Sequence, residues 1–188
     1  MRSLFILSLF FLSSCIKFGI TDQVFTPSLP AETTNGENTM GFLYGKSIWE
    51  NIRVTPGILG GLSIDTPART TCSYYEGVLY INGSMYEEND NLNFVFESSF
   101  GFVLHNVLQS GEIFNFDSTS SSYQDYAGFY DELHGDSMVS HPNSFSVTLI
   151  RFDSTNEIAS GTFSGTLYST SNNDSTVITQ GRFDFRFY

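Results

Sequence analysis

Phe183, Phe185 and Phe187 alternate with Arg182, Asp184 and Arg186 near the C-terminal end of the chain. Side chains recur on one face every second residue only in an extended strand, so this stretch fits a strand with one apolar and one charged face. The same period runs back through the C-terminal third. Phe145-Ser146-Val147-Thr148-Leu149 alternates, Asp153-Ser154-Thr155-Asn156 has turn residues, and Glu157 to Tyr168 reads as a long strand. Ser171-Asn172-Asn173-Asp174 then turns, and Thr176 to Phe187 forms the last strand. Gly161 and Gly165 flank Phe163 on one face of the long strand, which lets it bend sharply or receive aromatics from a neighbour. Such a sheet closes as a barrel or folds over as a sandwich. The Arg182, Asp184 and Arg186 face is placed to form a cross-strand charge ladder.

Upstream the same signals continue. Gly41 to Tyr44 and Ser47 to Glu50 predict a tight hairpin in which Gly45 supplies a positive φ. Val78 to Tyr86 and Leu92 to Ser98 predict a second, joined by the polar run Glu87 to Asn91. Phe100, Phe102 and Leu104 share a face of the next strand, and Phe114 and Phe116 a face of the one after it. The pattern is antiparallel in character. Between Tyr123 and Leu133 the period changes, because Tyr123, Tyr126, Tyr130 and Leu133 fall at spacings that share a helical face. One short helix or an irregular loop is expected there, ahead of a strand, with Gly128 opposing the helix.

The other end of the chain is of a different kind. Arg2 precedes the apolar run from Ser3 to Leu12, and Leu12-Ser13-Ser14-Cys15 closes it. The run falls well short of the roughly 20 residues needed to span a bilayer. It resembles a bacterial lipoprotein signal peptide over residues 1–14, in which Cys15 would carry lipid on its sulfur. Two acyl chains there would give a stable membrane anchor. Residues 15–38, with Pro27 and Pro30 among small polar residues, read as a flexible linker, and residues 39–188 as a single all-β domain, an antiparallel sandwich or barrel.

Removal of Arg2 with the signal would take the formal charge from -12 to -13. With so few bases, a nucleic-acid partner is not expected, since phosphate binding needs clustered Lys and Arg. Cys72 would be the lone thiol after lipidation, so stability must come from the core rather than a disulfide.

Three C-terminal stretches carry a family resemblance: Thr148 to Asp153, Ile158-Ala159-Ser160-Gly161-Thr162-Phe163, and Val177 to Asp184 with Gly181-Arg182-Phe183-Asp184. In this order, behind a lipobox, they resemble the ending of a family of small Bacteroidota lipoproteins of unknown function. Leu29 to Thr33, Asn38-Thr39, Gly41, Gly45-Lys46 and Trp49 are similar to that family's opening. The chain departs from it at Phe42 and Tyr44, where the family tends to carry Cys and Asn. The resemblance implies a cell-envelope lipoprotein with a β-rich body, and it brings no catalytic residues to transfer.

Catalytic patterns do not survive inspection. Neither Gly161-Thr162-Phe163-Ser164-Gly165 nor Gly60-Gly61-Leu62-Ser63 has the G-x-S-x-G elbow of a serine hydrolase. Cys72 reads as a small buried residue, and no glycine-rich phosphate loop precedes a helix. Paired carboxylates for glycoside hydrolysis are decided by separation in space, which sequence does not give. His134, Asp136 and His141, with Asp131 and Glu132 nearby, have the composition of a facial triad for iron. The histidines are too close in sequence for that arrangement, and a solvated loop is the plainer reading. Glu87 to Asn91 and Asn172 to Asp174 offer calcium-type oxygens but are accounted for as turns.

Aromatic content is the remaining handle. Most phenylalanines occupy alternating strand positions, whereas Tyr74, Tyr75, Tyr123, Tyr126 and Tyr130 fall in loops or at strand ends. A partly exposed tyrosine beside Asn or Asp suits glycan or peptide recognition, and it equally suits the rim of a core. The expectation is therefore a non-catalytic binding module without a cofactor, held at the outer membrane of the cell envelope by lipid on Cys15. The alternative is a structural or assembly accessory that docks on another envelope protein through a strand edge or apolar patch. Binding predicts several of the five tyrosines gathered in one concavity; docking predicts them dispersed.

Overall fold

The structure, a computed structural model, describes residues 27–56, 62–65, 70–88, 94–116, 125–131 and 135–188. The signal segment, Cys15, the first part of the linker, Tyr123 and His134 lie outside the described residues. The strands are β1 (Thr39–Tyr44), β2 (Ser47–Glu50), β3 (Arg53–Pro56), β4 (Leu62–Asp65), β5 (Thr70–Tyr75) and β6 (Val78–Glu88). They continue as β7 (Phe94–Leu104), β8 (Ile113–Asn115), β9 (Tyr126–Asp131), β10 (Asp136–Asp153), β11 (Ile158–Ser169) and β12 (Ser175–Arg186). The all-β expectation holds, and among the described residues there is no helix.

One sheet contains every strand, in the order β2-β1-β12-β11-β10-β9-β7-β6-β3-β4, with β5 beside β6 and β8 beside β10. It curls into a half-barrel. Where the chain passes from β2 into β3, Tyr86 N donates to Ile52 O at 3.0 Å, which brings one margin of the sheet to the other. The predicted hairpin of β1 and β2 forms with Tyr44 opposite Ser47 and Gly45 at φ 58°.

Three expectations about the strands need correction. The sheet is mixed, because β3 runs parallel to β6, with Arg53 opposite Tyr86. A parallel neighbour cannot come from a hairpin turn, and β3 is delivered by the crossing from β2. The helical spacing after Tyr123 does not give a helix over the described part of that segment. Tyr126–Asp131 is β9, inserted between β7 and β10, with Ala127, Phe129 and Asp131 buried and Tyr126 and Tyr130 exposed. Pairing on both sides outweighs a helical pattern that is short and contains Gly128. Finally, the strand expected to end at Ser98 continues through Phe100 and Phe102 as the single strand β7.

The concave side is filled by aromatics. Phe42 lies 4.9 Å from Trp49 and 4.7 Å from Phe100, and Phe100 stacks on Phe163 at 5.0 Å. Phe183, Phe185 and Phe187 face inward as the alternation predicts, at 3%, 0% and 5% exposure. Each fully buried ring contributes about 1.5–3 kcal/mol. The one polar group of Trp49 is satisfied, since Nε1 donates to the buried Ser98 Oγ at 2.7 Å.

Residues 30–37, expected in the linker, lie docked across the outside of β12. Asp184, 1% exposed, accepts from Thr33 Oγ1 (2.6 Å), Asn35 N (2.9 Å), Gly36 N (2.8 Å) and Glu37 N (3.2 Å). Gly36 at φ 77° lets successive N–H groups converge on the carboxylate, as in an anion nest. Arg182 Nη1 donates to Pro30 O and Arg186 Nη2 to Asn35 O. The charged face of β12 thus holds this strap instead of forming the expected ladder.

Candidate functional site

The outer faces of β6, β7 and β9 form a channel that runs across the strands. Register places Tyr80, Val103 and Tyr126 opposite one another in one row. Asn82, Gly101 and Gly128 make the next row, and Ser84, Ser99 and Tyr130 the row after it. Residues two apart on a strand share a face, so all three rows look outward. In the middle row only Asn82 carries a side chain, and its amide lies beside Gly101. This row is the floor of an open depression of about 420 Å³, lined on one side by Tyr80 and Tyr126. Tyr130 stands beyond Gly128 on the opposite side. With neighbouring strands about 4.8 Å apart, the backbones of Tyr80 and Tyr126 are separated by about 10 Å.

The two floor glycines exist for different reasons. A Cβ on Gly101 would lie 2.5 Å from Ile81 O and 3.2 Å from Asn82 Cα, so the close approach of β6 requires glycine there. At Gly128 the nearest such atom, Met138 O, is 3.8 Å away, which is ordinary contact. Glycine inside a strand is destabilising by roughly 0.5–1 kcal/mol relative to alanine. Packing does not demand that cost at Gly128, and its effect is to keep the floor open between Tyr126 and Tyr130.

A polar clasp lies beyond the Tyr126 wall. Asp125 Oδ1 accepts from His105 N at 2.7 Å and lies 3.0 Å from His105 Nδ1, tying the residue after β7 to the residue before β9. Tyr126 therefore begins its strand from a held position.

Of the five tyrosines singled out from sequence, Tyr126, 54% exposed, lines the depression, and Tyr130, 44% exposed, lies on the same outer face beyond it. Tyr75, 69% exposed and opposite Val78, is on the same outer face one row beyond Tyr80. Tyr74 faces inward, its ring 4.9 Å from Phe152 and its hydroxyl donating to Val107 O at 3.0 Å, so it belongs to the core rim. Tyr123 lies outside the described residues. Sequence reasoning missed Tyr80, which is 46% exposed. The signal was present in Leu79 and Ile81, whose inward direction sends Tyr80 and Asn82 outward.

The channel is electrically plain. The chain carries a formal charge of -12, yet among the described residues no carboxylate and no basic side chain lines this depression. Its polar groups are the Thr71 hydroxyl, the Asn82 amide and the two phenols.

Charge gathers elsewhere. At one end of the half-barrel, Tyr44, Phe129 and Met138 with Asp131, Asp136 and Asp174 line a cavity of about 370 Å³. Burial and the neighbouring Asp131 push the Tyr44 hydroxyl above its ordinary pKa. Asp136 Oδ1 accepts from Ser169 and Ser171 hydroxyls, and the His141 ring stacks on Tyr168 with centroids 4.2 Å apart. Among the described residues no group of three His, Cys, Asp or Glu side chains is placed to hold a metal ion. The Cys72 thiol is pushed up to about 12 by burial, which removes its thiolate at neutral pH. Gly161-Thr162-Phe163-Ser164-Gly165 is interior to β11, not a nucleophile elbow.

No family model, curated protein or solved structure matches the chain.

Proposed function

We propose that this chain is a lipid-anchored lipoprotein of the cell envelope, outer membrane in placement, that acts as a non-catalytic binding module with the cross-strand channel as its ligand site. The lipobox ending at Cys15 and the resemblance to small Bacteroidota lipoproteins support the location. Gly128 carries the binding reading: its glycine is not required by packing, and it leaves the floor open beside the exposed Tyr80 and Tyr126. Tyrosines with one apolar face and a polar tip suit a ligand that is itself amphipathic, a glycan or a peptide.

Two experiments test this. Cys15→Ala should abolish incorporation of radiolabelled palmitate and release the protein from the membrane fraction; retention of label would refute the anchor. Glycan and peptide arrays probed with the full-length protein in nonionic detergent should give specific binding. That binding should disappear in a Tyr80→Ala, Tyr126→Ala variant whose near-ultraviolet circular dichroism is otherwise preserved. Binding unaffected by the double substitution would remove the channel from the account. Silence on both arrays would favour the accessory role, for which β4 and β5, each paired on one side only among the described residues, offer the strand edges.

A further inference from the structure

We infer that the ligand of the channel is a neutral glycan of two or more linked sugars; this rests on the channel being the binding site.

Three observations lead there. The first concerns backbone hydrogen bonding. A peptide recognised by a sheet ordinarily adds itself as a strand at a free edge. Here β6 is paired with β5 and β7, β7 with β6 and β9, and β9 with β7 and β10, so the floor offers no edge. A peptide laid across these strands would set its own N–H and C=O groups against a floor whose backbone groups are already engaged. Unpartnered buried amides cost about 1–3 kcal/mol each. A glycan avoids this, since it places C–H faces on tyrosine rings and leaves most hydroxyls toward water.

The second is charge. A ligand bearing uronate or sulfate groups needs a cation in the site, and among the described residues that line the channel there is none, in a chain of formal charge -12. Neutrality of the site selects neutrality of the ligand.

The third is spacing. Tyr80 and Tyr126 are about 10 Å apart across the strands. That separation spans more than one sugar ring, so a single monosaccharide would engage one tyrosine and a linked chain both. The floor row continues past Gly128 to Val139 of β10 and past Asn82 to Thr71 of β5, which lines the depression.

The test uses full-length protein in nonionic detergent and the variant Gly128→Val. The nearest atom to a Cβ at position 128 lies at 3.8 Å, so valine fits the strand and fills the channel. Its thermal midpoint should equal or exceed that of the wild type. Affinity electrophoresis would be run in gels containing hydroxyethylcellulose, glucomannan, linear galactan, linear arabinan or pullulan as neutral chains. Polygalacturonate and alginate serve as anionic chains, and fluorescently labelled casein peptides, read by anisotropy, as the peptide arm. The expected result is retardation by at least one neutral chain, weakened about tenfold or more by Gly128→Val. The matching hexasaccharide should bind at least about tenfold more tightly than the monosaccharide. Binding of a uronate chain or a peptide that Gly128→Val abolishes would overturn the neutral glycan and leave the channel as the site. Binding of any probe with equal strength to wild type and Gly128→Val would overturn the channel itself. Absence of retardation across the neutral panel would overturn the inference.

Discussion

Removing the carboxylate of Asp184 should release the strap without disturbing the sheet beneath it. Asp184 is buried on the outer side of β12 and accepts from one hydroxyl and three consecutive-region backbone amides of residues 33–37. Hydrogen bonds to a charged acceptor contribute about 1.5–3 kcal/mol apiece, so simple addition over the cluster would suggest about 8 kcal/mol. The loss cannot reach that value. Once the strap lifts, its N–H groups regain water and its residues regain about 1–2 kcal/mol each of conformational freedom. The cost of Asp184→Ala is therefore capped by the free energy of docking, about 2–4 kcal/mol, which for a chain of this size lowers the thermal midpoint by roughly 5–15 °C. Asp184→Asn keeps the volume and one acceptor oxygen while turning an NH₂ toward N–H donors, so it should fall between wild type and alanine. The assay is amide hydrogen exchange at Asn35, Gly36 and Glu37 combined with urea unfolding. In Asp184→Ala these amides should lose protection while those of β10 and β11 keep it. Undiminished protection at residues 35–37 would refute the reasoning, whatever happens to global stability.

Other consequences follow from burial and charge. Phe100 is fully buried against Phe42, Trp49 and Phe163, and Phe100→Ala should cost about 3–5 kcal/mol in urea unfolding; a loss below 1 kcal/mol would mean the ring stack is not the core. Cys72 should stay unreactive toward Ellman's reagent at neutral pH until the protein unfolds, since burial raises its pKa to about 12; rapid labelling of the native state would contradict its placement. Because the Tyr44 pKa is raised from 10.0 in the folded state, the native protein holds this proton more tightly than the unfolded chain. Its contribution is complete below pH 10 and is lost as pH rises through the raised value, so Tyr44→Phe should unfold less readily than wild type above pH 10. An unchanged alkaline limb in that variant would refute the assignment.

The parts of the fold that local pattern can encode were legible. Turn residues at Asp153 to Asn156 and alternation from Phe145 to Phe187 specify β10, β11 and β12 because a strand's period is a local property. What distant segments impose was not. Nothing near Asp184 announces that its carboxylate is filled by residues nearly 150 positions away. The parallel pairing of β3 with β6 likewise arises from a crossing, which leaves no local mark. Tyr126 and Tyr130 fit a helical face and a strand face equally well, and neighbours on both sides decided for the strand. The site was half legible. Its tyrosines at 126 and 130 stood out by position, whereas Tyr80 looked like one strand residue among many. Gly101 and Gly128 were the overlooked signal, since a glycine within a strand marks either a close approach or a surface kept bare.

The most direct measurement of the channel's role is an NMR titration of the full-length protein with neutral linear hexasaccharides of glucose, mannose and galactose, following backbone amides. The account predicts that a binding sugar shifts Asn82, Gly101, Gly128 and their strand neighbours and leaves Asp136 and Asp174 at the barrel end unmoved. Shifts gathered at the barrel end or along the strap, with the glycine row silent, would contradict it.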